Sequence, residues 1–242
     1  MNPSPHPFTS AHVRAVIVKI LLIVNAVVAG LILLVDALTL VFPLPIPGQE
    51  PGENPMGIVL AILMFLLGVF EIIVYLTTVV FFCMWLYRSY NNLRAFDQWS
   101  RLDSSAGWAV GSFFIPFVNL VVPYRAVREV WQNSWPPEEA RLSAPDPPAS
   151  FPLWWMFWLL AAFAGQISWR VTFTEGVPAN TAALISIGAG ALSIMAAVFA
   201  FLVVNAIDKR QEETSRSIKL PQFTGPPPPP DLSMSGAVAP AP

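Results

Sequence analysis

The sequence predicts an all-α polytopic membrane protein: a four-helix transmembrane bundle with an additional interfacial or re-entrant helical hairpin on the cytoplasmic side. Two observations support this fold class. Hydrophobic residues make up 55% of the 242-residue chain and charged residues only 12%, whereas a soluble domain carries roughly a quarter charged residues. The apolar residues are also concentrated in nearly uncharged runs, and about 20 such residues are enough to cross a bilayer.

Four apolar runs are long enough to form the predicted membrane spans. The first run is too long for a signal peptide, whose apolar core has about 7–15 residues, so we interpret it as a retained helix. The second run exceeds the length that a bilayer requires, and we expect it to tilt or to project beyond the membrane. The four runs cover residues 15–42, 56–87, 151–169 and 181–207.

The two ends of the chain are predicted to lie outside a membrane domain of residues 14–207. Residues 1–13 are short, polar and proline-containing, and residues 208–242 contain a proline run. Both compositions are typical of chain that cannot bury an apolar core. The sequence therefore predicts a disordered cytoplasmic N-tail and a disordered Pro-rich cytoplasmic tail.

The lysines and arginines are segregated along the chain, and this predicts the orientation. Of thirteen such residues, all but Arg170 fall near the N-terminus, between residues 88 and 150, or near the C-terminus. Cationic flanks of membrane spans remain in the cytoplasm, so we expect a multi-pass cell-membrane protein with both termini cytoplasmic. The net charge of −2 provides no basic field that would attract nucleic acid.

Polar side chains inside the spans are the default candidates for function, because they are costly in hydrocarbon. Glu71 lies near the middle of the second span, where a charged group costs roughly 2.5–3.5 kcal/mol. Asn25 lies at a similar depth in the first span, so the two are predicted to pair. We interpret the pair as a protonated Glu71 hydrogen-bonded to Asn25, a contact that stabilises helix packing. The alternative is a proton or cation relay. Asp36, nearer the outer end of the first span, is expected to be partly hydrated.

Small residues recur every four positions in the third and fourth spans, a spacing that lets helix backbones approach closely in lipid. This pattern predicts tight packing between those two spans, and homodimerisation through the same face stays open. The residues are Ala161 and Gly165 in the third span, Ser193 and Ala197 in the fourth, and Gly190, which follows Ser186 by four positions in the fourth.

Residues 106–135 are apolar in their first half but are not expected to cross the membrane. Pro116 interrupts any continuous helix, and a crossing would put Arg101 and Arg125 on opposite sides of the membrane, against the charge bias. We therefore expect this segment to lie against the cytoplasmic side, bent near Pro116 and again near Pro123.

Two polar interactions are predicted within this segment. Its second half is amphipathic at helical spacing: Trp131 lies on an apolar face, and Arg125, Arg128 and Glu129 lie on the opposite face. Arg125 and Glu129 have the spacing of an i,i+4 ion pair. Asn119 is expected to bond backbone that the bend leaves free.

The same region carries a recognisable string of residues. WLYRSYNNL at 85–93, followed by SAGWAVGSFFIPFVNLVVPYRAVREVW at 105–131, resembles a family of bacterial membrane proteins named only as domain of unknown function 4328. Ser112 departs from the aromatic residue expected there. The resemblance implies a bacterial cell-membrane location and a multi-span helical fold, but no activity. The string consists of Trp85, Arg88, Asn92, Gly107, Trp108, Pro116, Asn119 and Pro123.

No catalytic or metal-binding set of residues stands out in the sequence. His6 and His12 both precede the first span, so a haem inside the bundle could not be held by two histidines. We expect a non-enzymatic protein without a cofactor, whose cytoplasmic face binds membrane lipids or a partner protein; a homo-oligomer or a membrane protein partner is left open. The alternative is a small-solute, ion or proton transporter or channel component that uses Glu71 and Asn25.

Overall fold

The computed structural model describes residues 8–42, 55–96, 102–135, 146–172, 174 and 176–218. All regular structure within these ranges is helical. Two short 3-10 turns, Ser112–Phe114 and Val118–Leu120, connect the third helix to the fourth. The helices are α1 (His12–Thr39), α2 (Pro55–Asn92), α3 (Ala106–Gly111), α4 (Val122–Gln132), α5 (Ser150–Thr172) and α6 (Ala179–Ile218).

Four of these helices, α1, α2, α5 and α6, are long and apolar enough to cross a membrane. The predicted all-helical fold with four candidate spans is therefore confirmed. α2 has 38 residues and α6 has 40, which at 1.5 Å per residue gives each a length of about 55–60 Å. Because the hydrocarbon core is only about 30 Å thick, both helices tilt or extend beyond it.

The long helices lie side by side in the order α2, α1, α6, α5. The most extensive helix contacts are those of α6 with α5, α6 with α1, and α1 with α2. His12 at the start of α1 contacts Asp208 in α6, and Phe82 in α2 contacts Trp154 near the start of α5. The start of α1, the end of α2, the start of α5 and the C-terminal part of α6 therefore share one end of the bundle, which we call the basal end. The opposite end is called the distal end.

The buried core lies at the basal end rather than along the full length of the helices. In α2, Trp85 and Tyr90 are both 0% exposed, whereas Phe65 near the distal end is 71% exposed. The basal core combines residues from all six helices. The exposed apolar side chains of the distal half are those expected to meet acyl chains, because a span does not need to bury its apolar surface in protein.

α6 is longer than the sequence predicts. The fourth span is expected to end at residue 207, with a disordered tail after it, but the helix continues to Ile218. Its added turns are polar, yet Gln211 and Thr214 are buried against the basal end and hydrogen-bonded there. These bonds compensate for the burial of polar groups, and they explain why the polar segment is helical. Residues 219–242 lie outside the described residues.

The N-terminal tail is also shorter than predicted. The ring of Phe8 stacks on that of Phe96 with 5.6 Å between centroids, and Ala11 is buried just before α1. Residues 8–13 therefore belong to the folded part of the chain. Residues 1–7 lie outside the described residues.

Gly190 and Ala197 of α6 lie on the side of the helix that faces α1. A Cβ atom added at Gly190 would lie 3.9 Å from Leu33 Cβ and 4.0 Å from the Ala29 carbonyl oxygen, both in α1. Ala197 lines a surface groove together with α1 residues. The predicted tight packing of the third span against the fourth is present, but Gly190 of this stripe lies against α1.

α5 and α6 pack closely by other means. The stacked rings of Phe157 and Phe199, 5.4 Å apart, join the two helices. A Cβ atom at Gly165 would meet open space, so this glycine does not serve a close helix contact within the described residues. Ala161 and Ser193 are half-buried.

Residues 106–132 form a compact unit that we call the α3–α4 segment. α3 has 6 residues and α4 has 11, so neither is long enough to span. The chain turns at Phe117, whose φ of 64° lies in the left-handed region that an L side chain rarely adopts. α3 and α4 contact each other, and both contact α2, so the segment folds back on itself beside the basal core.

Candidate functional site

The structure pairs Asn25 with Thr78 rather than with Glu71. The Asn25 amide nitrogen donates to the Thr78 hydroxyl at 2.7 Å and to the Leu21 carbonyl at 2.8 Å. Thr78 follows Glu71 by two helical turns, or about 10 Å along the axis. Glu71 therefore lies on the same side of α2 but nearer the distal end, and the predicted pair is wrong.

Asp36 is buried, whereas the sequence predicts partial hydration. It is 2% exposed, and the Ser186 hydroxyl of α6 donates to its carboxylate at 2.6 Å. Burial follows because α6 covers this face of α1 with small residues. Asp36 in α1 and Glu71 in α2 each place a carboxyl group in the distal half of the bundle.

A buried polar network at the basal end is centred on Gln211. The Gln211 amide nitrogen donates to the Ser89 carbonyl at 2.9 Å and to the Ser134 hydroxyl at 3.1 Å. Its amide oxygen accepts from Asn92 at 3.3 Å, and the Thr214 hydroxyl donates to the Ser134 carbonyl at 2.7 Å. The network connects the end of α2, the residues after α4 and the C-terminal part of α6.

Glu129 of α4 turns inward instead of pairing with Arg125. Its carboxylate accepts from the Tyr90 hydroxyl at 2.7 Å and from the Asp103 backbone N–H at 2.6 Å. Arg125 is exposed and forms no ion pair in the part of the chain that the structure describes. The predicted i,i+4 pair is wrong because a buried tyrosine hydroxyl and a free backbone donor compete successfully for the carboxylate.

The apolar face of α4 is buried in the protein. Ala126, Val127, Val130 and Trp131 all belong to the basal core. This face is therefore not available to insert into a bilayer as a surface helix does. The outward side of α4 carries Arg125 and other polar groups.

Several residues of the family string lie in the basal core. Trp85 and Pro123 are buried, and Asn92 belongs to the polar network. The Arg88 Nε atom donates to the carbonyl of Thr9 at 3.2 Å, which connects the N-terminal segment to α2. These positions hold separate parts of the chain together.

The remaining residues of the string lie at the surface of the α3–α4 segment. Gly107, Trp108 and Pro116 are exposed, and Asn119 is half-buried. The backbone N–H of Asn119 donates to the Ile115 carbonyl at 3.0 Å. Its side chain forms no hydrogen bond within the described residues, so the predicted amide contact at the bend is not formed.

The sequence does not indicate the ionic cluster that joins α1 to α6. His12 Nδ1 and Lys19 Nζ lie 2.9 Å and 3.3 Å from the buried carboxylate of Asp208. Lys19 also donates to the Asn205 side-chain oxygen at 3.3 Å. His12 and Lys19 are two helical turns apart and so share a face of α1, but no local pattern indicates an acid 196 residues away.

These features define a helical membrane protein with four candidate spans and a polar, tightly packed basal end. Among the described residues there is no group of three or more histidine, cysteine, aspartate or glutamate side chains that could hold a metal ion. Residues 59–209, more than half of the chain, match the family described as a domain of unknown function (DUF4328). The chain belongs to this family. A search of curated proteins gave no match, and a search of solved structures gave none.

Proposed function

We propose that this protein is a non-enzymatic integral membrane protein of the cell membrane whose basal face lies in the cytoplasm and binds lipid headgroups or a partner protein. The distribution of positive charge carries the proposal. Among the described residues, every lysine and arginine except Arg170 belongs to the basal end. Because cationic flanks of spans remain cytoplasmic, both termini are then cytoplasmic as well.

Headgroup binding is supported by the outward side of α4. Arg125 and Arg128 are exposed and three residues apart, so they project from one side of the helix. Arg128 makes only a 3.9 Å contact with the exposed Asp146, which is worth little in water. A cation near an anionic leaflet contributes about 1 kcal/mol of binding, and an acidic partner protein would be attracted by the same charges.

The α3–α4 segment is proposed to be a re-entrant hairpin on the cytoplasmic side. It connects α2 to α5, whose adjoining ends are both basal, so it has no need to cross. The Trp155 indole N–H of α5 donates to the Leu120 carbonyl at 3.0 Å, which supports a tip at the level of the spans. Phe117 at this tip is 85% exposed, as a side chain that enters acyl chains would be.

In this proposal His12 is interpreted as a structural residue, because its ring contacts the buried Asp208 in a cluster that joins α1 to α6.

Cysteine labelling tests the orientation. In a Cys83→Ser background, Thr174→Cys reports the distal end and Ser217→Cys reports the basal end; both residues are exposed. We expect an impermeant maleimide to label Thr174→Cys in intact cells and to label Ser217→Cys only after the membrane is opened. Labelling of Ser217→Cys in intact cells would contradict the proposal.

Spin-labelled phosphatidylglycerol tests the lipid-binding role. The full-length protein in vesicles should immobilise a fraction of this lipid, and the combined Arg125→Gln and Arg128→Gln variant should immobilise less. Arg170→Gln at the distal end is the matched control. An equal immobilised fraction in all three proteins would exclude headgroup binding by α4 and leave a partner protein as the ligand of this face.

The alternative function is a small-solute, ion or proton transporter or channel component. One observation favours it: α1 and α2 each place a carboxyl group, Asp36 and Glu71, among the spans. Asn25 would contribute to packing, because Thr78 and Leu21 accept its two N–H groups. Proteoliposomes with a trapped pH dye provide the test: proton flux above that of empty liposomes, removed by Glu71→Gln, would support transport. Flux equal to that of empty liposomes would contradict it for protons.

A further inference from the structure

A groove of about 360 Å³ opens at the basal end between α1, α2 and α3. Its walls combine two guanidinium groups and a tyrosine with side chains that are apolar. The lining residues are Arg14, Cys83, Met84, Tyr87, Arg88 and Val110.

Among the described residues, the two arginines of the groove have no acidic partners. Neither Arg14 nor Arg88 forms an ion pair within the described part of the chain, whereas the nearby Lys19 is paired with Asp208. The Arg88 Nε atom donates to the Thr9 carbonyl, which fixes the side chain and leaves its terminal N–H groups for another acceptor. Two half-buried cations that face one groove repel each other, so an anion between them would be stabilising.

The apolar part of the groove continues into the lipid-facing surface of α2. Met84 and Tyr87 are exposed, and so are Val80 and Leu76, one and two turns nearer the distal end. Arg88 directly follows this apolar run in the sequence, and Arg14 directly precedes that of α1. The arginines therefore lie at headgroup level, and the rest of the groove extends toward the acyl chains.

We propose that this groove binds one anionic phospholipid. Its phosphodiester lies between Arg14 and Arg88, the Tyr87 hydroxyl donates to a headgroup oxygen, and an acyl chain runs along Met84 and Val110. A zwitterionic lipid is disfavoured because its ammonium group would approach two cations. The inference rests on the proposed lipid-binding role of the basal face, but it concerns side chains different from those of α4.

Native mass spectrometry of the delipidated full-length protein tests the site, with phosphatidylglycerol and phosphatidylcholine of identical chains as probes. The wild-type protein should bind phosphatidylglycerol more tightly. Arg14→Gln and Arg88→Gln should each weaken that binding about fivefold, which corresponds to about 1 kcal/mol. Arg170→Gln is the matched control and should leave it unchanged. Val110→Trp should also weaken binding, because it fills the groove without removing charge, and it replaces the arginine variants if they fail to fold.

Three results would overturn the inference. The first is equal affinity of the wild-type protein for the two lipids, and the second is unchanged affinity in the combined Arg14→Gln and Arg88→Gln variant. The third is displacement of the lipid by equimolar soluble glycerol phosphate. The last result would assign the arginines to a small anion. A loss confined to the combined Arg125→Gln and Arg128→Gln variant would refute the groove while supporting the proposed function. A loss confined to the groove variants would support the groove and count against α4.

Discussion

Replacing Gln211 with leucine isolates the contribution of the basal polar network to stability. The side chains are similar in size, so Gln211→Leu removes hydrogen bonds without creating a large cavity. Gln211 is 2% exposed and bonds three groups from α2 and from the residues after α4. The variant therefore tests whether these contacts, rather than apolar packing alone, hold α6 to the rest of the basal end.

The expected loss follows from the partners that the variant leaves unsatisfied. The Ser89 carbonyl lies in the last turn of α2, where helix carbonyls lack intrahelical partners, and the Asn92 amide loses its acceptor. The Ser134 hydroxyl keeps its bond to the Val130 carbonyl at 2.6 Å. Two buried groups are thus orphaned, at about 1–3 kcal/mol each, so the free energy of unfolding should fall by about 2–6 kcal/mol.

Unfolding of the purified full-length protein in mixed micelles, driven by increasing dodecyl sulfate and followed by circular dichroism, measures this loss. Gln166→Leu provides the matched control, because Gln166 is exposed on α5 and makes no hydrogen bond within the described residues. The same chemical change should not destabilise the protein there. If Gln211→Leu unfolds at the same detergent fraction as Gln166→Leu, the network adds no net stability.

Two further variants test helix packing by the same unfolding assay. Gly190→Leu should destabilise the protein by about 1–3 kcal/mol, the usual range for overpacking, because its Cβ would already lie 3.9 Å from Leu33. Gly165→Leu is its control and should have little effect, since open space surrounds that glycine; equal losses would refute the assigned interface. Thr78→Val should cost about 0.6–1.7 kcal/mol, the range for interhelical hydrogen bonds in membranes, by removing the acceptor of Asn25. An unchanged midpoint would show that this bond contributes no net stability.

The number and approximate bounds of the spans could be predicted from the sequence, because each span is a local property of one apolar run. The partners of polar groups inside the spans could not. Depth along the spans pairs Asn25 with Glu71, whereas its partner in the structure, Thr78, lies two turns farther along α2. An estimate of depth depends on where a helix enters the membrane and on its tilt, and neither is encoded in the run itself. Nothing in the sequence marks Thr78 as the partner of Asn25, since a threonine hydroxyl can instead bond the backbone of its own helix.

The small-residue stripe shows a related limit. The spacing of Gly190 and Ala197 correctly indicates a face of close approach, but a face does not identify the helix that it meets. The bond from Ser186 to Asp36 fixes α1 as the neighbour, and this bond joins residues 150 positions apart. Chain proximity favours α5 as the neighbour, because a short turn joins it to α6. α5 does pack against α6, through the larger side chains Phe157 and Phe199.

The basal end was the least predictable part of the molecule. The polar residues after Ile207 predict a solvated tail, because their composition is typical of disordered chain. They are helical and buried since α2 and the residues after α4 present unsatisfied donors and acceptors to them. The bond of Asn92 to Gln211 spans 119 positions, and no periodicity within either helix indicates it.

The position of the core at one end of the bundle has a consequence for biogenesis. Spans can enter the bilayer one after another as the ribosome delivers them, because each is apolar enough to be inserted separately. The basal core, however, includes Ala15 and Val18 from the first helix and Val203, Val204 and Ile207 from the last. It therefore cannot close until nearly the whole membrane domain has been synthesised. During translation the first helix is inserted early but has no completed core to join. The tryptophans of α2, α4 and α5 lack their α6 neighbours until that helix is inserted.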